Sequence, residues 1–137
     1  MRGHYNGYHE LRDAHDHLAE QQEMLDVKAS VRAAASGIEA ILTFYCDLHS
    51  IRLPTDGRPF DEKIEKILQA TGMPSYKAIA PLEMDCIMSL YRARNTMHEG
   101  DCYTTDASGA RIPVDVAQAR KFIEAAERLA IWLDARA

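Results

Sequence analysis

Between Val27 and Leu48 the apolar residues Val27, Val31, Ala34, Ile38, Ile41, Leu42, Tyr45 and Leu48 fall mostly three or four positions apart. That spacing follows the 3.6-residue turn of an α-helix and gathers them into one stripe. A stripe this broad must be buried against other elements, so a core has to form around this helix. Within it, the small residues Ala33-Ala34-Ala35-Ser36-Gly37 admit a neighbouring helix at close range. Asp26 is placed to cap the start of a helix over 26–50, and Pro54 with Asp56-Gly57 ends the region in a turn.

Proline and glycine punctuate the rest of the chain. A first helix is predicted over 8–25, on Tyr8, Leu11, His15, Leu18, Gln22 and Leu25, with residues 1–7 frayed ahead of it. Phe60, Ile64, Ile67 and Leu68 define a short third helix closed by Gly72 and Pro74. The fourth begins at Ser75 or Pro81, runs towards His98, and stops at Gly100 and the polar stretch 101–109. The fifth starts after Pro113 and reaches Leu133, on Val116, Ala119, Phe122, Ile123, Ala126 and Leu129, with Trp132 beside that face to cover an interface. No strand pattern competes with these helices. The expected fold is all-α, an up-and-down bundle of about five helices forming one domain over 1–137. Helices two, four and five should lie at its centre, with Ile38, Ile41, Leu42, Ile87, Leu90, Phe122 and Leu129 buried.

Composition narrows the functional classes. At 137 residues, 47% hydrophobic and 27% charged, the chain is an ordinary globular domain. A net charge of −5 argues against a broadly basic nucleic-acid coat, although a local cationic cleft needs only a few residues. Cys46, Cys86 and Cys102 are too scattered for a zinc site or disulfide framework and read as reduced thiols of a cytoplasmic protein. There is no apolar run long enough for a membrane span, and the polar, His-rich first twenty residues do not resemble a signal peptide. His15-Asp16-His17 are wrongly spaced for a helical metal pair, so neither metal nor cofactor is expected. Asp61, Glu62 and Glu65 read as solvated first turns of the third helix, and His49 as a C-terminal cap of the second.

One segment stands apart: Leu90-Tyr91-Arg92-Ala93-Arg94-Asn95-Thr96-Met97-His98-Glu99-Gly100-Asp101. Arg94 and His98 are i,i+4 neighbours on a helix, with Asn95 alongside, whereas Arg92 points elsewhere unless the helix distorts. Arg offers a charged fork for phosphate oxygens, His moves protons near neutral pH, and Asn orients either. Those groups suit attack of an RNA 2′-hydroxyl on its adjacent phosphate, a reaction that needs a base and cations but no metal. The same residues also suit plain stabilisation of a helix C-terminus.

With these residues in view, the chain resembles the HEPN domains (higher eukaryotes and prokaryotes nucleotide-binding). The resemblance rests on Ala33 to Leu42, on Phe60 to Leu68, and on Leu90 to Gly100. It implies a helical bundle of a toxin, defence or RNA-processing system that acts as a metal-independent endoribonuclease, with His98, Arg94, Arg92 and Asn95 as the catalytic set. The family motif is an Arg, commonly followed by a polar residue, then a His after four to six positions. Arg92 has the spacing, with five residues before His98 but Ala93 next to it; Arg94-Asn95 has the dipeptide, with three. Gly100 stands where members adenylylated by a partner nucleotidyltransferase carry Tyr, so that modification is not expected. The resemblance also implies a homodimer with facing motifs, and an antitoxin or nucleotidyltransferase as partner. A non-catalytic HEPN-like module that binds nucleotide, RNA or a partner protein is the alternative.

Overall fold

The computed structural model describes residues 5–20, 24–52, 59–97, 102–106 and 108–136. Along the chain come α1 (Tyr5–Glu20), α2 (Met24–Leu48), α3 (Phe60–Thr71), α4 (Tyr76–Ile79), α5 (Pro81–Thr96), β1 (Tyr103–Thr105), β2 (Arg111–Pro113) and α6 (Val116–Arg136). The fold is thus an all-α bundle, with six helices among the described residues where five were expected. The predicted fourth helix is split: α4 is a single turn capped by Ser75, whose hydroxyl accepts from the Ala78 N–H, and Pro81 then opens α5. Pro81 cannot supply the N–H that a continuous helix would require.

α2, α5 and α6 pack against one another at the centre, and α1 lies along α2 and α6. Every residue expected in the core is buried: Ile38, Ile41, Leu42, Ile87, Leu90, Phe122 and Leu129. α1 and α2 approach closely where two glycines meet. A Cβ on Gly7 would stand 2.5 Å from Ile41 Cγ1 and 3.0 Å from the Gly37 carbonyl oxygen. Ser30 Oγ, itself fully buried, donates to the Ala14 carbonyl across the same seam at 2.7 Å.

Four local expectations are corrected. Helix α1 begins at Tyr5, so Gly7 is helical and buried rather than frayed. Helix α2 begins at Met24, two residues ahead of the expected start, so Asp26 lies inside its first turn. Glu65 is not a free surface acid: its carboxylate accepts from the Ser75 hydroxyl and from the Tyr76 N–H at 3.2 Å, fastening α4 to α3. Residues 103–113, taken as loop and helix start, form an antiparallel hairpin pairing Tyr103 with Pro113 and Thr105 with Arg111. Asp106 folds its turn by accepting from the Ser108 and Ala110 N–H groups. The cap of α6 is Asp115, which accepts from the Gln118 N–H at 2.7 Å. Trp132 covers Tyr76 within the chain, with ring centroids 5.0 Å apart.

Candidate functional site

Helix α2 buries Val31, Ala34, Ala35 and Ile38, which leaves Arg32 and Ser36, one turn apart, on its outer side. Across from them the last turn of α5 brings up Arg94 and Asn95, followed by Met97. These five residues line an open groove of about 480 Å³.

Arg94 is held in place from three directions. Its guanidinium carbon lies 5.3 Å from the Phe60 ring centroid and 5.6 Å from that of Tyr91. The two rings meet edge to face at 5.1 Å, so they form one aromatic corner. Nη1 donates to Glu39 Oε1, on the next turn of α2. A guanidinium carries five N–H donors, and Glu39 receives one of them at Nη1. The remainder of the fork is able to meet a second acceptor, with the charge fixed in direction by the aromatic corner.

The two arginine registers are separated by the helix itself. α5 is regular through Thr96, so positions 92 and 94 differ by about 200° around its axis. Arg94 and Asn95 line the groove; Arg92 is exposed and is not part of the lining. His98, the expected acid–base group, lies outside the described residues. Arg32 and Ser36 were missed by the sequence reading, as was Glu39 as a partner for Arg94.

Beyond the groove, Cys102 is buried at the foot of the hairpin, and the Tyr103 N–H donates to Thr96 Oγ1 at 3.1 Å, tying β1 to the end of α5. Burial raises the Cys102 thiol pKa, while Lys28 and Arg32 pull it back down. At the other end of α2, Tyr45 and Tyr8 each donate a hydroxyl to Asp134, at 3.0 Å to Oδ1 and Oδ2 respectively. Both phenols are raised, first by burial and then by the carboxylate, Tyr8 to about 12. His49 stacks on Tyr45 at 6.5 Å, while Ser50 takes the left-handed conformation (φ 55°) that ends α2. Among the described residues, no three His, Cys, Asp or Glu side chains converge to hold a metal. Likewise, none of the described helices is long and apolar enough to cross a membrane.

The groove therefore offers a guanidinium without an ion-pair partner among the described residues (Arg32), a second one oriented by its neighbours (Arg94), a hydroxyl and a primary amide. All four side chains donate hydrogen bonds, which suits an oxyanion. Comparison with protein-family models, curated proteins and solved structures finds no match to this chain.

Proposed function

We propose that this chain is a HEPN-like protein whose α2–α5 groove holds a phosphodiester of RNA, and that it is a metal-independent endoribonuclease. The observation that carries this reading is the convergence of Arg32, Ser36, Arg94 and Asn95 on one groove, at the helix end that leads into His98. In this reading Arg32 and Arg94 neutralise the charge that builds on phosphate, and Asn95 orients the ligand. His98 takes the proton from the 2′-hydroxyl as that oxygen attacks phosphorus, then protonates the departing 5′-oxygen. The products are a 2′,3′-cyclic phosphate and a free 5′-hydroxyl. The protein acts as a cytoplasmic homodimer of a toxin, defence or RNA-processing system, two copies of the groove facing one cleft.

The test is incubation of the purified protein with varied RNAs in EDTA, beside His98→Ala. Cleavage to cyclic phosphate by the natural chain, and its loss in the variant, supports the reading; equal cleavage by both contradicts it. Light scattering is expected to give about twice the chain mass of 15.4 kDa. The Glu39–Arg94 ion pair favours a second reading, because it offsets one of the two groove cations. In that reading the groove is a non-catalytic site for nucleotide or RNA, and the same assay gives binding with no cleavage of any RNA.

A further inference from the structure

The start of α3 is held by a sulfur atom from another helix. A helix begins with N–H groups that have no partner within it, and an N-cap side chain commonly accepts from one of them. Pro59 fills the N-cap of α3 and makes no such bond. The Glu62 N–H donates to the neighbouring Asp61 Oδ1 at 2.8 Å, and the Lys63 N–H to the Pro59 carbonyl at 3.3 Å. The Asp61 N–H donates instead to Met88 Sδ on α5, at 3.3 Å. A thioether is a weak acceptor, so this cap is a soft one.

The seat of Arg94 hangs on that contact. Phe60, fully buried, is the first residue of α3 and directly precedes Asp61. Its ring meets Tyr91 in the aromatic corner, and Arg94 rests its guanidinium on both rings. Met88, Tyr91 and Arg94 follow one another at spacings of three along α5, so one side of that helix carries the sulfur, the ring and the groove cation. Met88 is only partly buried, whereas Met84, one turn earlier, is shielded from solvent.

We propose that Met88 is a modification site: hydrogen peroxide oxidises its thioether to the sulfoxide, and this unseats the Phe60–Tyr91 corner that aims Arg94 into the groove. A sulfur lone pair attacks one peroxide oxygen, and the S–O bond forms as the O–O bond breaks. The departing hydroxide takes the proton of the transferred oxygen and leaves as water, so sulfur loses two electrons and the peroxide gains them. The product replaces a soft apolar side chain with a polar one. The sulfoxide oxygen is a stronger acceptor than the sulfur was and takes over the Asp61 N–H. It needs its own hydrogen-bond distance to that nitrogen, so the first turn of α3 is set back from α5 and carries Phe60 with it.

The experiment treats the natural chain, Met88→Leu and Met88→Gln with dilute hydrogen peroxide and then with dithiothreitol, which reverses sulfenic acids and disulfides of the cysteines but not a sulfoxide. Met88→Leu keeps the side-chain volume without the sulfur, and Met88→Gln places an oxygen where the sulfoxide would have one. Peptide mass spectrometry is expected to find one added oxygen on Met88 and none on Met84. In NMR spectra the Asp61 amide and the Arg94 Nε–H signals should move when the natural chain is oxidised. They should stay in place when Met88→Leu is treated, since oxidation at the partly buried Met73 and Met97 is common to both. Met88→Gln should show the moved signals without peroxide. Affinity for 2′-O-methyl octauridylate, which has no free 2′-hydroxyl and cannot be cleaved, should fall about threefold on oxidation of the natural chain, as the preorganised guanidinium is lost. That last readout rests on the groove being a phosphate site; no binding before oxidation would overturn that reading, while the NMR shifts still decide this one. Met88 left unoxidised, or oxidised with the Asp61 and Arg94 signals in place, would overturn the proposal.

Discussion

The two ends of α2 place polar side chains in opposite situations. Near its C-terminus Tyr45 donates to Asp134, which also receives Tyr8, so three polar groups from three helices satisfy one another. Towards its N-terminal half Arg32 and Ser36 face an open groove, across from an arginine propped on two aromatic rings. At the first end polarity fixes how helices meet; at the second the packing of Phe60 and Tyr91 holds a charge out towards solvent. Side chains that complete each other stabilise the fold, and donors held ready without a completed set are what a ligand uses.

Substitutions can break this contrast, beginning with the packed seam. Ile41 is fully buried beside Gly7, so Ile41→Ala should lower unfolding free energy by about 2–5 kcal/mol in a denaturant titration. The next largest stability effect is expected at the phenol cluster. Tyr45→Phe removes one hydroxyl bond to a carboxylate that keeps the other, at a cost of about 1–2 kcal/mol. The two phenols also predict an alkaline dependence. Their pKa values are raised in the fold, so their contribution is complete below about pH 10 and is lost as pH climbs through the Tyr8 value of about 12. Thermal melts across that window should fall less steeply for Tyr45→Phe than for the natural chain.

In the groove, stability and binding should separate. Arg94→Ala is expected to change stability by no more than about 1 kcal/mol, its ion pair being partly exposed, yet to weaken RNA binding about tenfold or more. Glu39→Gln removes the competing carboxylate and should raise affinity for a phosphate ligand a few-fold, read by titration calorimetry. The smallest effect belongs to Arg92→Ala, which should stay within about 0.5 kcal/mol in stability and leave binding unchanged. A large binding loss there would restore the other register.

How far these features are legible in the sequence depends on their range along the chain. The core was readable because Ile38, Ile41, Phe122 and Leu129 sit on 3.6-residue stripes, a signal written locally. The hairpin was not, since Tyr103-Thr104-Thr105 and Arg111-Ile112-Pro113 are too short for alternation to show, and Pro113 imitates a helix start. Half of the groove, Arg94 and Asn95, was visible as a local crowding of polar groups. Arg32 and Ser36 look in sequence like the wet face of an amphipathic helix, and only the packing of α2 on α5 brings them across from residues some sixty positions later. That Arg94 and not Arg92 lines the groove beside Asn95 needed one fact that spacing alone withheld, the regularity of α5 through Thr96.

The most direct test of the groove as a phosphate site is a heteronuclear NMR titration of the labelled protein with 2′-O-methyl oligouridylate in EDTA. The account predicts that amide shifts concentrate at Arg32, Ser36, Arg94, Asn95 and Met97, while Tyr8, Tyr45 and Asp134 stay fixed. Shifts centred on the Tyr8–Tyr45–Asp134 end, or no shifts at all at millimolar ligand, would contradict it.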